Sequence, residues 1–434
     1  MFDLALRNGL VWINHEFQAT HIYVEHGRIA LMTSDIFEAK RVVDCTNQWI
    51  TPGVIDPHVH FDLDLGWTKS VDDFFDGSVS ALFGGVTTVI DFLRPTSDAE
   101  DLEKSFQERL RESADCQTDV AFHATIKNPT GDIDAYVKKA KELGCVAIKL
   151  FTTYSDSGRR TYDDQIVSLL KASQKYQMLI SCHVEADDQI VLSPNQTFHD
   201  LGRSRPASSE TDEALKLAKM VRQHGGYLYM VHTSSGQTIR RLKTAYSDIL
   251  HERFFIESCP QYFLFNETVW EQPNGALYTF APPLRNESLR SELESLIGDV
   301  DTIGTDHCPF MKSQKFASTL KHTPLGIGGV EASFPIMVTR FGENILDRMT
   351  SNPARIHGLT HKGQLQIGFD ADLVVWHKDS HSFIQRHSQS DYSIYDGIHV
   401  TPVIDQVYLR GELRVDGERW IQGHGRVLKG DHTR

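Results

Sequence analysis

Cysteine is scarce in this chain. Six occur in 434 residues (Cys45, Cys116, Cys145, Cys182, Cys259 and Cys308), none in a CxxC pair, so neither a disulfide framework nor a thiolate zinc site is indicated. Three lie inside apolar, strand-like runs, where a free thiol acts as a small hydrophobe. No apolar stretch approaches the roughly 20 residues of a membrane span. Residues 1–9 lack the charged-then-apolar form of a secretory signal, and a cytoplasmic protein is expected. Positive charge is also short. Lys and Arg number 44 against 58 Asp and Glu, a formal charge of −14, which disfavours nucleic acid or an anionic membrane surface as partner. A small-molecule substrate fits better.

What the chain does have is a globular balance, 40% hydrophobic and 24% charged, and a regular alternation of short apolar runs with helical patterns between about residues 50 and 310. That is the sequence form of repeated βα units on a parallel sheet. Eight strands are predicted, at 54–61, 87–92, 119–125, 146–151, 179–185, 227–233, 254–259 and 301–306. Eight is the number that closes a (β/α)8 TIM barrel, an α/β fold. Helices are predicted at 132–143, 162–176, 212–224 and 287–297, where apolar residues recur at three-to-four spacing. Gly144 and the pair Gly225-Gly226 sit where such helices should stop. Both chain ends carry short alternating runs with Gly at turns, so residues 1–50 plus 365–434 are expected to form a small β-sandwich beside the barrel of 51–364.

The strongest chemical signal is Asp56-Pro-His-Val-His60 in the first predicted strand. Side chains alternate with period two, so His58 and His60 share a face and can chelate. Alone the pair reads equally as hydrogen-bonded histidines, since the chain has 21 His. Lys149 lies in the apolar run Val146-Ala-Ile-Lys-Leu-Phe151. It either snorkels from the strand end or is desolvated enough to take up CO2 as a carbamate, an anionic ligand able to bridge two cations. His183, His232 and Asp306 stand near the ends of the fifth, sixth and eighth predicted strands, at the rim where barrel enzymes place their chemistry. These six residues are expected to converge. Nitrogen and oxygen donors without thiolates suit Zn2+, with Mn2+ or Co2+ as substitutes. Six are too many for one tetrahedral ion, and two ions sharing the modified lysine and a hydroxide would use them all. His123 reads as a core residue or a support to the ligands, His307 as outside the ligand set, and Glu185 as either an orienting group or a solvent-facing one.

Taken together, several motifs resemble those of the amidohydrolase superfamily and, within it, the cyclic amidohydrolases (hydantoinases and dihydropyrimidinases). They are Pro52-Gly-Val-Ile-Asp-Pro-His-Val-His60, Gly84-Gly-Val-Thr-Thr-Val-Ile-Asp91, Lys149-Leu-Phe-Thr-Thr-Tyr154, His232-Thr-Ser-Ser, Glu257-Ser-Cys-Pro-Gln-Tyr262, Pro282-Pro-Leu-Arg285, Thr305-Asp-His-Cys-Pro-Phe310, Asn352-Pro-Ala-Arg-Ile-His-Gly358 and Gly368-Phe-Asp-Ala-Asp-Leu373. The resemblance implies a binuclear zinc centre with carboxylated Lys149 bridging both ions, and commonly a homotetramer. It implies that His58 and His60 hold the more buried metal with Asp306, and that His183 and His232 hold the more exposed one. Asp306 would also be the general base, and Tyr154 would support the oxyanion. Two positions depart from the family pattern: Ala281 stands where Ser is common and Leu325 where Asn is common. The loops 62–72 and 155–160 should cover the pocket, with Leu63, Leu65 and Trp67 as an apolar wall.

The expected function is hydrolysis of the ring amide of a 5,6-dihydropyrimidine or 5-substituted hydantoin to an N-carbamoyl amino acid, by a hydroxide bridging two metal ions. Allantoinase and dihydroorotase activities are the enzymatic rivals. The segment after His60 lacks the Arg-Glu-Pro-Gly pattern of the dihydroorotases, and allantoinases usually lack a tyrosine placed like Tyr154. A mononuclear deaminase is disfavoured by Lys149. A non-catalytic assembly protein of the same fold is the rival of a different class, and retention of all six candidate ligands stands against it.

Overall fold

The structure is a computed structural model that describes residues 1–432; residues 433 and 434, the last two of the expected terminal unit, lie outside the described residues. Eight parallel strands form the central sheet: β1 (Val54–Asp56), β2 (Val86–Phe92), β3 (Asp119–Thr125), β4 (Ala147–Phe151), β5 (Leu179–His183), β6 (Tyr227–Met230), β7 (Phe254–Ser258) and β8 (Thr302–Ile303). Each pairs with the next in the chain. The sheet closes just past the ends of β1 and β8. There Val59 and His307 form a parallel bridge, and the His60 amide donates to the His307 carbonyl at 2.8 Å. The Thr305 hydroxyl donates to the buried Asp56 carboxylate at 2.5 Å. A parallel sheet needs both faces covered, and β2 and β3 are buried along their whole length.

The eight strands are those predicted, but three are shorter by three residues or more. β1 stops at Asp56 because Pro57 has no N–H to give the ladder. β8 keeps two residues, and β6 ends at Met230. His58, His60, His232 and Asp306 therefore lie on the connections just beyond the strands, and only Lys149 and His183 remain inside them. Helices Ile133–Leu143, Asp163–Tyr176 and Glu287–Ser295 fall where predicted. Asp132 caps the first by accepting from the Asp134 amide, and Gly144, at φ 84°, ends it in the left-handed region that glycine takes without strain. The helix predicted at 212–224 runs Ala207–His224, opening directly after Pro206. Its first turn, Ala-Ser-Ser-Glu, carries no apolar stripe for periodicity to detect.

Both chain ends build the second unit. One sheet holds Phe2–Arg7, His21–Glu25, Arg28–Thr33 and Ala39–Asp44. The other joins Leu10–Ile13, Glu16–Ala19 and Trp49–Pro52 to Leu373–Ser382, His399–Leu409, Glu412–Asp416 and Arg419–Trp420. Trp49–Pro52 is the seam, parallel to Leu10–Ile13 and antiparallel to Leu373–Ser382. Alternation divides the work of that last strand. Leu373 and Val375 enter the sandwich core with Leu4, Ile22 and Ile50, while Val374 and Trp376 pack into the barrel core. At the N-terminal end of β3, the buried Lys362 ammonium donates to Asp119 at 2.6 Å and Asp372 at 2.7 Å, with Asp370 at 3.1 Å. That acidic trio has a metal-like spacing, but the lysine already supplies its cation.

Candidate metal centre

Three donor atoms meet where the barrel closes. His58 Nε2 and His60 Nε2 are 3.2 Å apart, and each lies 3.1 Å from Asp306 Oδ1. Donors sharing one tetrahedral zinc at about 2.0–2.1 Å stand about 3.3 Å from one another, so the trio fits a divalent ion. A second pair faces it: His183 Nδ1 is 3.0 Å from His232 Nε2, and the His58 and His232 rings have centroids 5.5 Å apart. Lys149, 2% exposed, has Nζ 5.4 Å from the Phe92 ring centroid and 5.5 Å from that of Phe151. Among the described residues, no carboxylate comes within ion-pair distance of it. Burial draws its ammonium down to about 8, against the pull of Asp306 and Glu257. All six residues line one cavity of about 990 Å3.

Local backbone geometry presents these groups. His232 and Asp306 have φ of 41° and 54°, a left-handed conformation that L side chains adopt at a cost of about 1–3 kcal/mol and that gathers at functional sites. Protonation suits ligation at three of the four imidazoles. Burial lowers His60, His183 and His232, leaving neutral imidazoles. For His58 burial acts the same way, but the Glu257 and Asp306 carboxylates outweigh it and raise the imidazole to about 9. Asp306 is held well below the usual carboxylate range, because His58 and His60 overcome the effect of burial.

Two buried carboxylates aim the imidazoles. Glu257 on β7 accepts from His58 Nδ1 at 2.8 Å, from the His232 amide at 2.9 Å and from the Tyr229 hydroxyl at 2.7 Å. Glu185 accepts from His183 Nε2 at 2.6 Å and from Arg205. Such partners fix tautomer and ring direction. The open choice for Glu185 is therefore settled as an orienting group. Glu257 was missed, although a charged residue inside the apolar run Phe-Phe-Ile-Glu carries the same signal that singled out Lys149. Asp91 on β2 takes the Phe61 amide at 2.8 Å and the Arg109 guanidinium, fixing the chain after His60.

The two remaining histidines stay outside the donor set. His123 donates from Nε2 to the Pro57 carbonyl at 3.0 Å, beneath His58. His307 accepts the Gly329 amide at Nδ1 and donates from Nε2 to Asp72 at 3.1 Å. Tyr154, at φ 70°, has its ring 5.2 Å from that of His183. The Arg159 and Arg205 guanidiniums stand 4.7 and 4.9 Å from its centroid. Leu63, Leu65 and Trp67 line the cavity, as do Ala281 and Leu325. Their segment is a hairpin: the Asp62 amide donates to the Asp72 carbonyl and the Ser70 amide to that of Leu63.

A closed eight-stranded barrel with nitrogen and oxygen donors gathered at its mouth is an arrangement that metal-dependent hydrolases use, and the comparisons with known proteins place the chain among them. The sequence model of the amidohydrolase family matches residues 49–414, and the chain belongs to that family. Within it the chain falls in the cyclic amidohydrolase branch. It is 29% identical to a D-hydantoinase of Geobacillus stearothermophilus, over 98% of this chain and 96% of that protein. It is 28% identical to a D-phenylhydantoinase of Escherichia coli O127:H6, over 94% of each. Among solved structures, a dihydropyrimidinase from Brevibacillus agri NCHU1002 superposes with a TM-score of 0.93 at 25% identity, covering 100% of both chains. An L-hydantoinase (dihydropyrimidinase) from Arthrobacter aurescens gives 0.89 at 25%, covering 99% of this chain and 100% of that one.

Proposed function

We propose that this protein opens the ring amide of a 5,6-dihydropyrimidine or a 5-substituted hydantoin, giving an N-carbamoyl amino acid. The observation that carries this reading is the meeting of His58, His60, Asp306, His183, His232 and Lys149 in one cavity. Two divalent ions held there, zinc by the character of the donors, would supply a hydroxide at neutral pH and polarise the ring carbonyl. His58, His60 and Asp306 would hold one ion, His183 and His232 the other, and Lys149, carboxylated on Nζ, both. Its desolvated amine supports that modification, since CO2 reacts with the neutral form.

The protein's own groups then handle protons and charge. Asp306, kept ionised beside two imidazoles, accepts the proton of the attacking water and returns it to the leaving ring nitrogen. The Tyr154 hydroxyl donates a hydrogen bond to the carbonyl oxygen as it gains charge. Glu257 and Glu185 keep the His58 and His183 lone pairs aimed at the centre. Leu63, Leu65 and Trp67 give the ring substituent an apolar wall. We further propose a cytoplasmic homotetramer, on the family resemblance and the composition. A panel of dihydrouracil, phenylhydantoin, allantoin and dihydroorotate tests the substrate class. Turnover of one of the first two is expected, and exclusive turnover of allantoin or dihydroorotate would overturn the reading.

A further inference from the structure

One buried cation lies beside the cavity and has no part in the chemistry above. Lys315 ends the short turn Lys312–Lys315 and is 1% exposed. Its Nζ donates to the carbonyls of Thr279 at 2.6 Å, Pro324 at 2.8 Å and Gly326 at 2.8 Å. Three acceptors match the three N–H bonds of an ammonium. The acceptors belong to two segments more than forty residues apart in the chain, which also meet directly through the Gly326 amide and the Thr279 carbonyl at 3.1 Å.

Both segments face the cavity. Ala281 lines it from the first, and Thr323, Pro324 and Leu325 line it from the second. The site offers the ammonium little else. Among the described residues no carboxylate stands within ion-pair distance of it. The Phe310 ring centroid is 5.9 Å away, and burial draws the amine down to about 7, while the three carbonyl oxygens favour the charged form. An apolar side chain would fill the space without that desolvation penalty but would leave the Pro324 and Gly326 carbonyls unmatched, the Thr279 carbonyl keeping the Gly326 amide. The costly residue is thus the one that can bind both segments at once.

We propose that Lys315 is a positioning residue for ring recognition: its ammonium locks segments 279–281 and 324–326 into one cavity wall and sets the distance of that wall from the metal centre. This rests on the cyclic-amide reading, because the wall is taken to contact the ring and not the reacting atoms. Loosening it should weaken substrate binding more than it slows the chemical step.

The test is Lys315→Met, with kcat, KM and metal content measured on the better cyclic-amide substrate of the panel. KM is expected to rise about tenfold or more with kcat within about threefold, and metal per chain unchanged. A folded variant with wild-type KM overturns the proposal, and so does a parallel loss of kcat and metal. Should Lys315→Met fail to fold, Lys315→Gln, which keeps an amide donor, is read in the same way with a smaller rise expected. Hydrogen exchange on the wild-type protein needs no variant at all. The Gly326 amide is expected to be strongly protected, and exchange at the rate of an open loop removes the clamp. If the wild-type enzyme opens no cyclic amide, the functional reading fails while the exchange result still decides the clamp.

Discussion

Tyr154 and Glu257 show how single side chains divide the labour of the site. In the proposed mechanism Tyr154 meets the substrate oxygen only as charge develops there, so Tyr154→Phe should lower kcat by about 10²–10³-fold with little change in KM. Steady-state kinetics on the folded variant check this, and an unchanged kcat would remove the tyrosine from the mechanism. Glu257 never meets the substrate. It holds the Nδ1 proton of His58, and Glu257→Gln should weaken metal binding by about 10–100-fold, as measured in zinc-buffered titrations. Lys149→Ala should abolish turnover, and retained activity would reject a shared lysine ligand. The HxH pair, Lys149 and Asp306 were legible in the sequence because ligand-type residues near strand ends stand out against apolar runs. The role of Glu257 was not, since its partner is 199 positions away and no spacing rule spans that distance.

At the level of elements, the eight strands and four outer helices followed from period and punctuation, whereas the strand ends did not. Pro57 ends β1 early, and the left-handed turns at His232 and Asp306 bend the chain inward after β6 and β8. A strict strand would have kept them extended, and no residue type at either position announces a positive φ. The N-terminal end of β3 carries the clearest stability prediction. Asp119 is buried between Lys362 and Arg410. Burial raises its carboxyl, but the two cations outweigh that and hold it below its ordinary value of 3.8. A group depressed in the folded state contributes stability above its unfolded pKa and loses it as pH falls through the folded value. Asp119→Asn should therefore cost about 3–5 kcal/mol at pH 7, and the gap to wild type should narrow as pH drops below about 4. Urea unfolding at pH 7 and pH 3 measures both, and a gap that widens on acidification would contradict the assignment.

Across the whole molecule, the terminal sandwich and the barrel are stitched by strands that serve both cores, Val11 and Tyr408 packing in the sandwich and Trp12 and Val407 in the barrel. Leu373–Ser382 gives alternate side chains to each core, so the proposed division at residues 50 and 365 separates two units that share a wall. A longer excursion, residues 383–398, leaves the sandwich to reach the barrel mouth. Tyr395 donates to Gln261 there, Ser390 to the Phe310 carbonyl, and Asp391 accepts the Lys312 amide. It thereby anchors the segment that carries Lys315. That both termini would form one sandwich was readable from their shared strand pattern. The excursion was not, because its polar sequence has no period and the contacts that dock it, to Gln261, Phe310 and Lys312, are long-range.

The most direct measurement is a metal titration of activity. Protein stripped with a chelator, supplied with bicarbonate and titrated with zinc should show no ring-opening activity before the first addition, and should reach its plateau at two ions per chain. Full activity without metal, or a plateau at one ion, would contradict a binuclear centre built on His58, His60, Lys149, His183, His232 and Asp306.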